Sequence, residues 1–462
     1  MEDIKGIRYA GEYDLVEINL FTSSGNVINL MAAYQSLNIY ENMFSNSLSG
    51  TLLFIDTNNL VMNAPIVGQE FLSFKIKTTS LDSNEIDFTD NVMAVYKIDK
   101  RFADRGNEVI QLHFCSPESL RNERTRISKK FEGNISDIVP KILRDEVTIN
   151  TDKKIFTENT KGIKKIVVPN KNPYSLIKDL TPDAISETGS PNYVFFENMN
   201  GFHFRTLDSL YGEGSKGEYL ASDKGTIDLR SGGGVSNVEE DLKRVLFYDI
   251  ASNNDTKKNI KSGMLASKSI SYNIYQKNYN VQRYDYFSDF DKYKRVSYGE
   301  SDNPIYNDAP IDKFDNNLGD FKDAKIFMHS TSKDFDNLDT QHYVDTNTNF
   351  TPNDVSKTIQ HRFAKHTELD FGVKVNMEIN GVTTIKMGDV IDFLVPVVGS
   401  VHDETFDKYY SGKFLITKAR HEFTSLGKRY KIYLSAVKDA FNSQLPSGEA
   451  AAQQPINKTI RR

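Results

Sequence analysis

The chain has 462 residues, with 57 lysines and arginines against 63 aspartates and glutamates (net charge −6), a single cysteine and 38% hydrophobic residues. That length calls for three or four domains of about 100–150 residues rather than one core, and the composition is that of a chain that folds. The acidic balance argues against a protein that holds nucleic acid by neutralising phosphates, and one thiol allows neither an internal disulfide nor a thiolate zinc cluster.

The opening MEDIKGIRYAGEYD carries no basic-then-apolar leader, and no run of about 18–20 apolar residues could span a membrane; the chain is expected to fold in the cytosol. From Tyr13 to Pro117 short runs of β-branched and aromatic residues alternate with Gly, Asn, Asp and Ser, the pattern of antiparallel strands. VIQLHF sets Ile110, Leu112 and Phe114 against Val109, Gln111 and His113, as a half-buried strand does. Residues 1–118 therefore read as one β-barrel, with Cys115 a small buried side chain. Residues 119–211 read as an α+β unit. Ile135, Ile138, Val139, Ile142 and Leu143 share one helical face, with Asn134 as N-cap and Pro140 expected to kink it. A helix starts near Pro173, and YVFFENMNGFHFRTLDSL reads as a hairpin about Asn200-Gly201.

Residues 212–235 are rich in Gly and Ser and read as a linker. A helix is expected from about Asp255 to Ala266, then strands in SISYNIYQKNYNVQRYDYF. Residues 284–323 carry ten acids, five bases and nine Tyr or Phe, expected to form a surface loop that packs on a neighbour. NSQLPSGEAAAQQPINKTIRR reads as a flexible tail over 441–462.

An internal repeat organises these pieces. MGDVIDFLVP aligns beneath VGQEFLSFKI, bringing Gly388 onto Gly68 at an offset of 320. FLITKARHEFTSLGKRYKIYLSAVKDA aligns beneath VYKIDKRFADRGNEVIQLHFCSPES, bringing Phe423 onto Phe102 and Gly427 onto Gly106 at an offset of 321. Two blocks at nearly one offset indicate duplication, with Gly106 and Gly427 turning equivalent hairpins that bury the same face. The fold expected is mainly β: two similar antiparallel barrels (1–118, and 236–290 with 366–440), a small α+β domain, and a loop-rich insertion at 291–365. SISYNIYQKNYNVQRYDYF supplies the second barrel's opening strands in this reading. Three chains bearing two similar units can present six round one axis.

VEINLFTSSGNVINLMAAYQSLNIYENMFSNSLSGTLLFIDTNNL, PIVGQEFLSFKI, FEGNISDIVPKILRDE, VPNKNPYSLIKDLTPDAI, YVFFENMNGFHFRTLDSL and NGVTTIKMGDVIDFLVP together resemble the baseplate central hub subunits of T-even-like contractile-tailed phages. The resemblance implies a non-enzymatic homotrimer whose two tube-type barrels per chain form a pseudo-sixfold ring. The ring would join the hexameric tail tube, or its initiator proteins, to the trimeric central spike. Tape measure and baseplate wedge proteins are further candidate partners, and DNA would pass only in transit. The location implied is the virion baseplate, assembled in the host cytoplasm. The transferable positions are Gly68, Gly106, Phe102, Gly388, Gly427 and Phe423, in an architectural role. A hub of a phage-derived injection or secretion machine is the nearest alternative, and a cell-wall or carbohydrate-cleaving tail enzyme the rival from another class.

No cofactor, metal or catalytic set is expected. None of the eight histidines forms an HExxH pattern, and His361 and His366, five apart, lie about 140° apart on an ideal helix; the histidines are read as surface residues. His421 and Glu422 face opposite sides of a strand, SGGGVSN lacks a phosphate-loop Lys, and Asp308, Asp312, Asp315 and Asp320 do not follow a calcium-loop spacing. Sugar cleavage would need two carboxylates about 5–10 Å apart, and no such pair is identified.

Overall fold

The computed structural model describes residues 9–57, 66–78, 85–104, 107–221, 238–252, 255–274, 277–298, 302–330, 358–397 and 406–445. Strands β1 (Tyr13–Phe21), β2 (Val27–Asn29), β3 (Tyr34–Asn42), β4 (Ser49–Asp56), β5 (Phe71–Thr78), β6 (Ile86–Asp87), β7 (Met93–Asp104) and β8 (Asn107–Cys115) form the first unit. Its strand order is β1-β5-β7-β8-β4-β3, with β2 beside β1 and β6 beside β5. Period-two patterning decides the inner face. Ile110, Leu112 and Phe114 of β8 meet Leu37, Ile39, Leu52, Phe54, Leu72 and Phe74 in the core, each burial contributing about 1.5–3 kcal/mol. β1 and β3 are bridged by the Leu30 N–H donating to Ile18 O and the Tyr34 N–H to Leu30 O.

The α+β unit follows, with helices Pro117–Arg124, Ile135–Arg144 and Pro173–Leu180 and strands β9 (Lys130–Gly133), β10 (Ile155–Thr157), β11 (Lys164–Val167), β12 (Tyr193–Asn198) and β13 (Gly201–Thr206). Helix Ile135–Arg144 runs through Pro140 and buries the expected aliphatic face. An interior proline costs about 3 kcal/mol, less than five buried aliphatics return. Asn134 holds the N-cap position without a side-chain hydrogen bond. The hairpin turns on Met199-Asn200, and Gly201 opens β13; a Cβ there would lie 2.2 Å from Lys154 O, because β10 runs alongside in parallel.

Within the expected linker the structure has a strand, β14 (Ser215–Ala221), which pairs with the strands now numbered β15 (Arg244–Ser252) and β20 (Val390–Leu394). Residues 222–235 lie outside the described residues. The remaining strands are β16 (Ala266–Asn273), β17 (Asn278–Asp285), β18 (Ile326–Ser330), β19 (Val373–Asn380), β21 (Gly412–Thr424) and β22 (Arg429–Lys438). The second unit closes on itself in the order β14-β15-β19-β22-β21-β20. It departs from the antiparallel expectation at β14, which is parallel to both neighbours.

Further expectations are corrected. The strands of SISYNIYQKNYNVQRYDYF are not barrel strands: β16 and β17 join β18 in a separate sheet. The helix Ile359–Phe371 crosses the boundary drawn at 365. The acidic aromatic segment packs on its own chain, burying Tyr286, Phe290, Val296, Ile305, Tyr306 and Leu318, and at the tail Phe441 is core, pairing with Asn303. Asp255 caps the helix Thr256–Ser262, shorter than the stretch expected, and Gly263 ends it in the left-handed conformation.

The two units share one plan. β1, β3, β4, β5, β7 and β8 correspond in chain order and sheet order to β14, β15, β19, β20, β21 and β22. A constant shift of 211 residues carries Tyr34 to Val245, Leu37 to Tyr248 and Ile39 to Ile250, and the bulge between Tyr34 and Ser36 recurs between Val245 and Phe247. The bulge between Val95 and Lys97 recurs between Ile416 and Lys418. Coincident bulges are a demanding test of common descent, since each re-aims every side chain beyond it.

Candidate assembly site

The units are joined edge to edge. β3 pairs antiparallel with the outer half of β21, from Lys418↔Asn42 to Thr424↔Ser36, while the inner half of β21 pairs with β20. Arg420 Nε donates across the joint to Asn38 Oδ1 at 3.0 Å. Phe423 is fully buried behind it, stacked on Tyr430 with centroids 4.2 Å apart.

Glu41 of β3 lies at the centre of the joint and is 1% exposed. Its Oε1 accepts the Met199 N–H from the α+β unit and its Oε2 the Met387 N–H from the second unit, both at 2.8 Å. His421 of β21 places Nε2 3.6 Å from Oε2 and Nδ1 2.7 Å from the Tyr430 hydroxyl. One carboxylate thus ties three bodies of the chain together. An apolar side chain there would leave two inward-facing donors without partners.

Two buried ion clusters complete the framework. Lys153 Nζ donates to Glu118 Oε2 (2.8 Å) and Glu197 Oε1 (2.7 Å), and Glu197 Oε2 accepts the Leu48 N–H, holding the α+β unit against the first barrel. Arg295 Nη1 donates to both Glu368 carboxylate oxygens, at 2.8 and 3.0 Å, with its guanidinium 4.0 Å over the Phe290 ring, and Asp439 accepts from Lys365 and from the Val296 N–H. Burial of this kind is tolerated because every charge has a partner.

The repeat positions divide. Gly68 and Gly388 both adopt left-handed backbone (φ 87° and 94°) just ahead of equivalent strands, where any side chain is strained. The Val95 N–H donates to Glu70 O as the Ile416 N–H does to Asp389 O. Gly427 (φ 73°) lies in the turn between Thr424 and Arg429, whereas the first hairpin closes on Asp104↔Asn107, a turn two residues shorter; Gly106 lies outside the described residues. Phe102 and Phe423 are not equivalents. β7 has a second bulge, between Ile98 and Lys100, that β21 lacks, so Phe102 corresponds to Glu422 and is 51% exposed while Phe423 is core. A one-residue slip reverses the face.

The surface reading of the histidines fails at His203, His361 and His421, all buried, and at His366, which lies among buried residues. Burial holds the His203 and His366 imidazoles down to about 3, and His361 stacks on Tyr293 at 3.5 Å. His342 and His402 lie outside the described residues. Burial pushes the Cys115 thiol up to about 11 and the Asp389 carboxyl up to about 6. Among the described residues no three His, Cys, Asp or Glu side chains are grouped to hold a metal ion, and no helix is long and apolar enough to cross a membrane. A cleft of about 720 Å³ gathers Glu158, Asp208, Asp291 and Asp302 beside Tyr293 and Arg295.

No family model and no curated protein matches the sequence. Among solved structures the chain is similar to the tail protein from Neisseria meningitidis MC58, with 8% identity and a TM-score of 0.51 over 94% of this chain and 100% of that one. It is also similar to the 43 kDa tail protein of prophage MuSo2 from Shewanella oneidensis, with 9% identity and a TM-score of 0.51 over 92% and 99%. At such identities the likeness is one of fold, and it extends over nearly the whole chain.

Proposed function

We propose that this chain is a structural, non-enzymatic subunit of a contractile phage-tail baseplate: the central hub. As a homotrimer its six barrel units form a pseudo-sixfold ring, joining the hexameric tail tube to the trimeric spike and leaving an axial passage for DNA. The observation that carries this reading is the pair of units with one strand plan and coincident bulges, joined edge to edge by β3 and β21. Repeated at a fixed rotation, a joint between unlike edges closes into a ring. The likeness in fold to two proteins described as tail proteins supports the setting, and the net charge of −6 suits a passage that DNA must leave.

Mass measurement of the full chain at micromolar concentration tests it. The expected species is three times the 52.5 kDa chain, seen end-on by electron microscopy as six lobes. A monomer that stays monomeric when the cognate spike is added would refute the hub reading. Release of sugars or peptides from purified host envelope, lost when Asp208 and Asp291 are replaced, would refute the non-enzymatic part.

A further inference from the structure

Among the described residues the β3–β21 joint has two counterparts without a partner strand. Under the correspondence of the units, β3 is matched by β15 and β21 by β7. β21 gives its inner half to β20 and its outer half to β3. β7 gives only Met93 and Ala94 to β5, and among the described residues no strand pairs with that edge beyond them. β15 likewise gives only Arg244 and Val245 to β14, and among the described residues no strand pairs with that edge from Leu246 onward. Each unit therefore has a donor edge and an acceptor edge; the chain joins one of each internally and, among the described residues, leaves one of each open.

We infer that the open edges pair with one another between copies of this chain: β15 of one copy adds antiparallel to β7 of the next, in the register of the internal joint. This rests on the ring reading above and names the surfaces that close it. The internal pairs Arg420↔Tyr40, Glu422↔Asn38 and Thr424↔Ser36 translate, through the bulge-corrected correspondence, into Lys100 opposite Ser252, Phe102 opposite Asp249 and Asp104 opposite Phe247. Three observations favour a second copy as the occupant. The contact continues an interface already present in the chain. Phe102 and Phe247, 51% and 64% exposed, stand on the unfilled edges where the filled joint has Glu422 and Ser36, and exposed aromatic side chains on an open edge mark a contact surface. The Arg420–Asn38 contact has Lys100 and Asp249 at its corresponding positions, residues of opposite charge. The edges are also unlike, so copies add head to tail, and three copies close when the internal and the intermolecular joints each turn by one sixth of a circle.

Paired cysteines test this in the full chain. Directly opposed strand residues lie about 4.5–5.5 Å apart, within reach of a short bis-maleimide, and native Cys115 is buried. The Phe102→Cys, Asp249→Cys double variant is treated at a concentration where mass measurement shows the trimer. The expected result is a denaturing-gel ladder ending at three chains, absent from each single variant and from a Val147→Cys, Leu426→Cys control. Lys100→Cys with Ser252→Cys repeats the test two pairs inward. Unmodified protein supplies a readout that needs no variant: on trimer formation the amides of Leu246–Ser252 and Tyr96–Asp104 should exchange at least about tenfold more slowly. A trimer by mass with no ladder and no added protection at these strands overturns the edge pairing and leaves the ring reading standing. Absence of any trimer overturns the ring reading itself. A ladder that passes three chains overturns closure.

Discussion

Replacing Glu41 tests whether the chain is held together at its central joint. Glu41→Ala removes the acceptor of two backbone N–H groups, one from Met199 and one from Met387, each bonded at 2.8 Å. A buried donor left without a partner costs about 1–3 kcal/mol. Met387 is fully buried and Met199 only partly, so the first stands near the top of that range and the second near the bottom, a loss of about 3–4 kcal/mol together. Glu41→Gln keeps one acceptor oxygen and turns its amide N–H₂ towards the other donor, so it should lose about half or more of that. The assay is urea unfolding combined with amide exchange. The expected result is a fall in unfolding free energy in the order wild type, Gln, Ala, with faster exchange at the Met387 amide ahead of global unfolding. A Glu41→Ala protein within about 0.5 kcal/mol of wild type, with Met387 equally protected, would refute the clamp.

Lys153→Met leaves Glu118 and Glu197 buried together without their cation; a loss of about 3–5 kcal/mol is expected, and Glu197→Gln added to it should recover part of that loss in thermal melts. Acid should destabilise the protein through His203 and His366, each held by burial at about 3. Their folded values lie below the unfolded value of about 6.5, so stability is complete above that pH and falls as pH drops towards 3, by about 2 kcal/mol per imidazole at pH 5. His203→Gln should therefore lose less between pH 7.5 and 5 than wild type, and an equal loss would count against it. Asp389 has the opposite sign: burial raises it to about 6, so its contribution is present at low pH and lost as pH rises from about 4 to 6. Asp389→Asn should gain on wild type over that window, by at most about 3 kcal/mol, read from melting temperatures at pH 4 and 7.

Much of this fold was legible in local pattern. The alternation in VIQLHF named the core face of β8, and the 3.6-residue spacing in ISDIVPKILR named the buried helix face. The glycines before β5 and β20 marked two left-handed positions in matching places. The duplication was visible too, but not its register: an extra bulge in β7 moves Phe102 to the outer face while Phe423 stays inside. An alignment without gaps cannot register a bulge, because it counts residues rather than hydrogen-bonded pairs.

What local pattern supplied was which residues are apolar and at what period, since those depend on neighbours a few positions away. Strand partners depend on contacts across hundreds of residues. SISYNIYQ has the aromatic spacing of a barrel strand, yet the face that β16 buries is Ser267, Ser269, Ser271 and Asn273, and it turns Tyr272 outward beside Tyr279. A Gly- and Ser-rich stretch instead supplied β14, because β15 and β20 offered it two edges of backbone hydrogen bonds. Glu41 carried no mark in the sequence at all. A carboxylate becomes a clamp only when folding brings two backbone donors to it, and that convergence belongs to the tertiary structure.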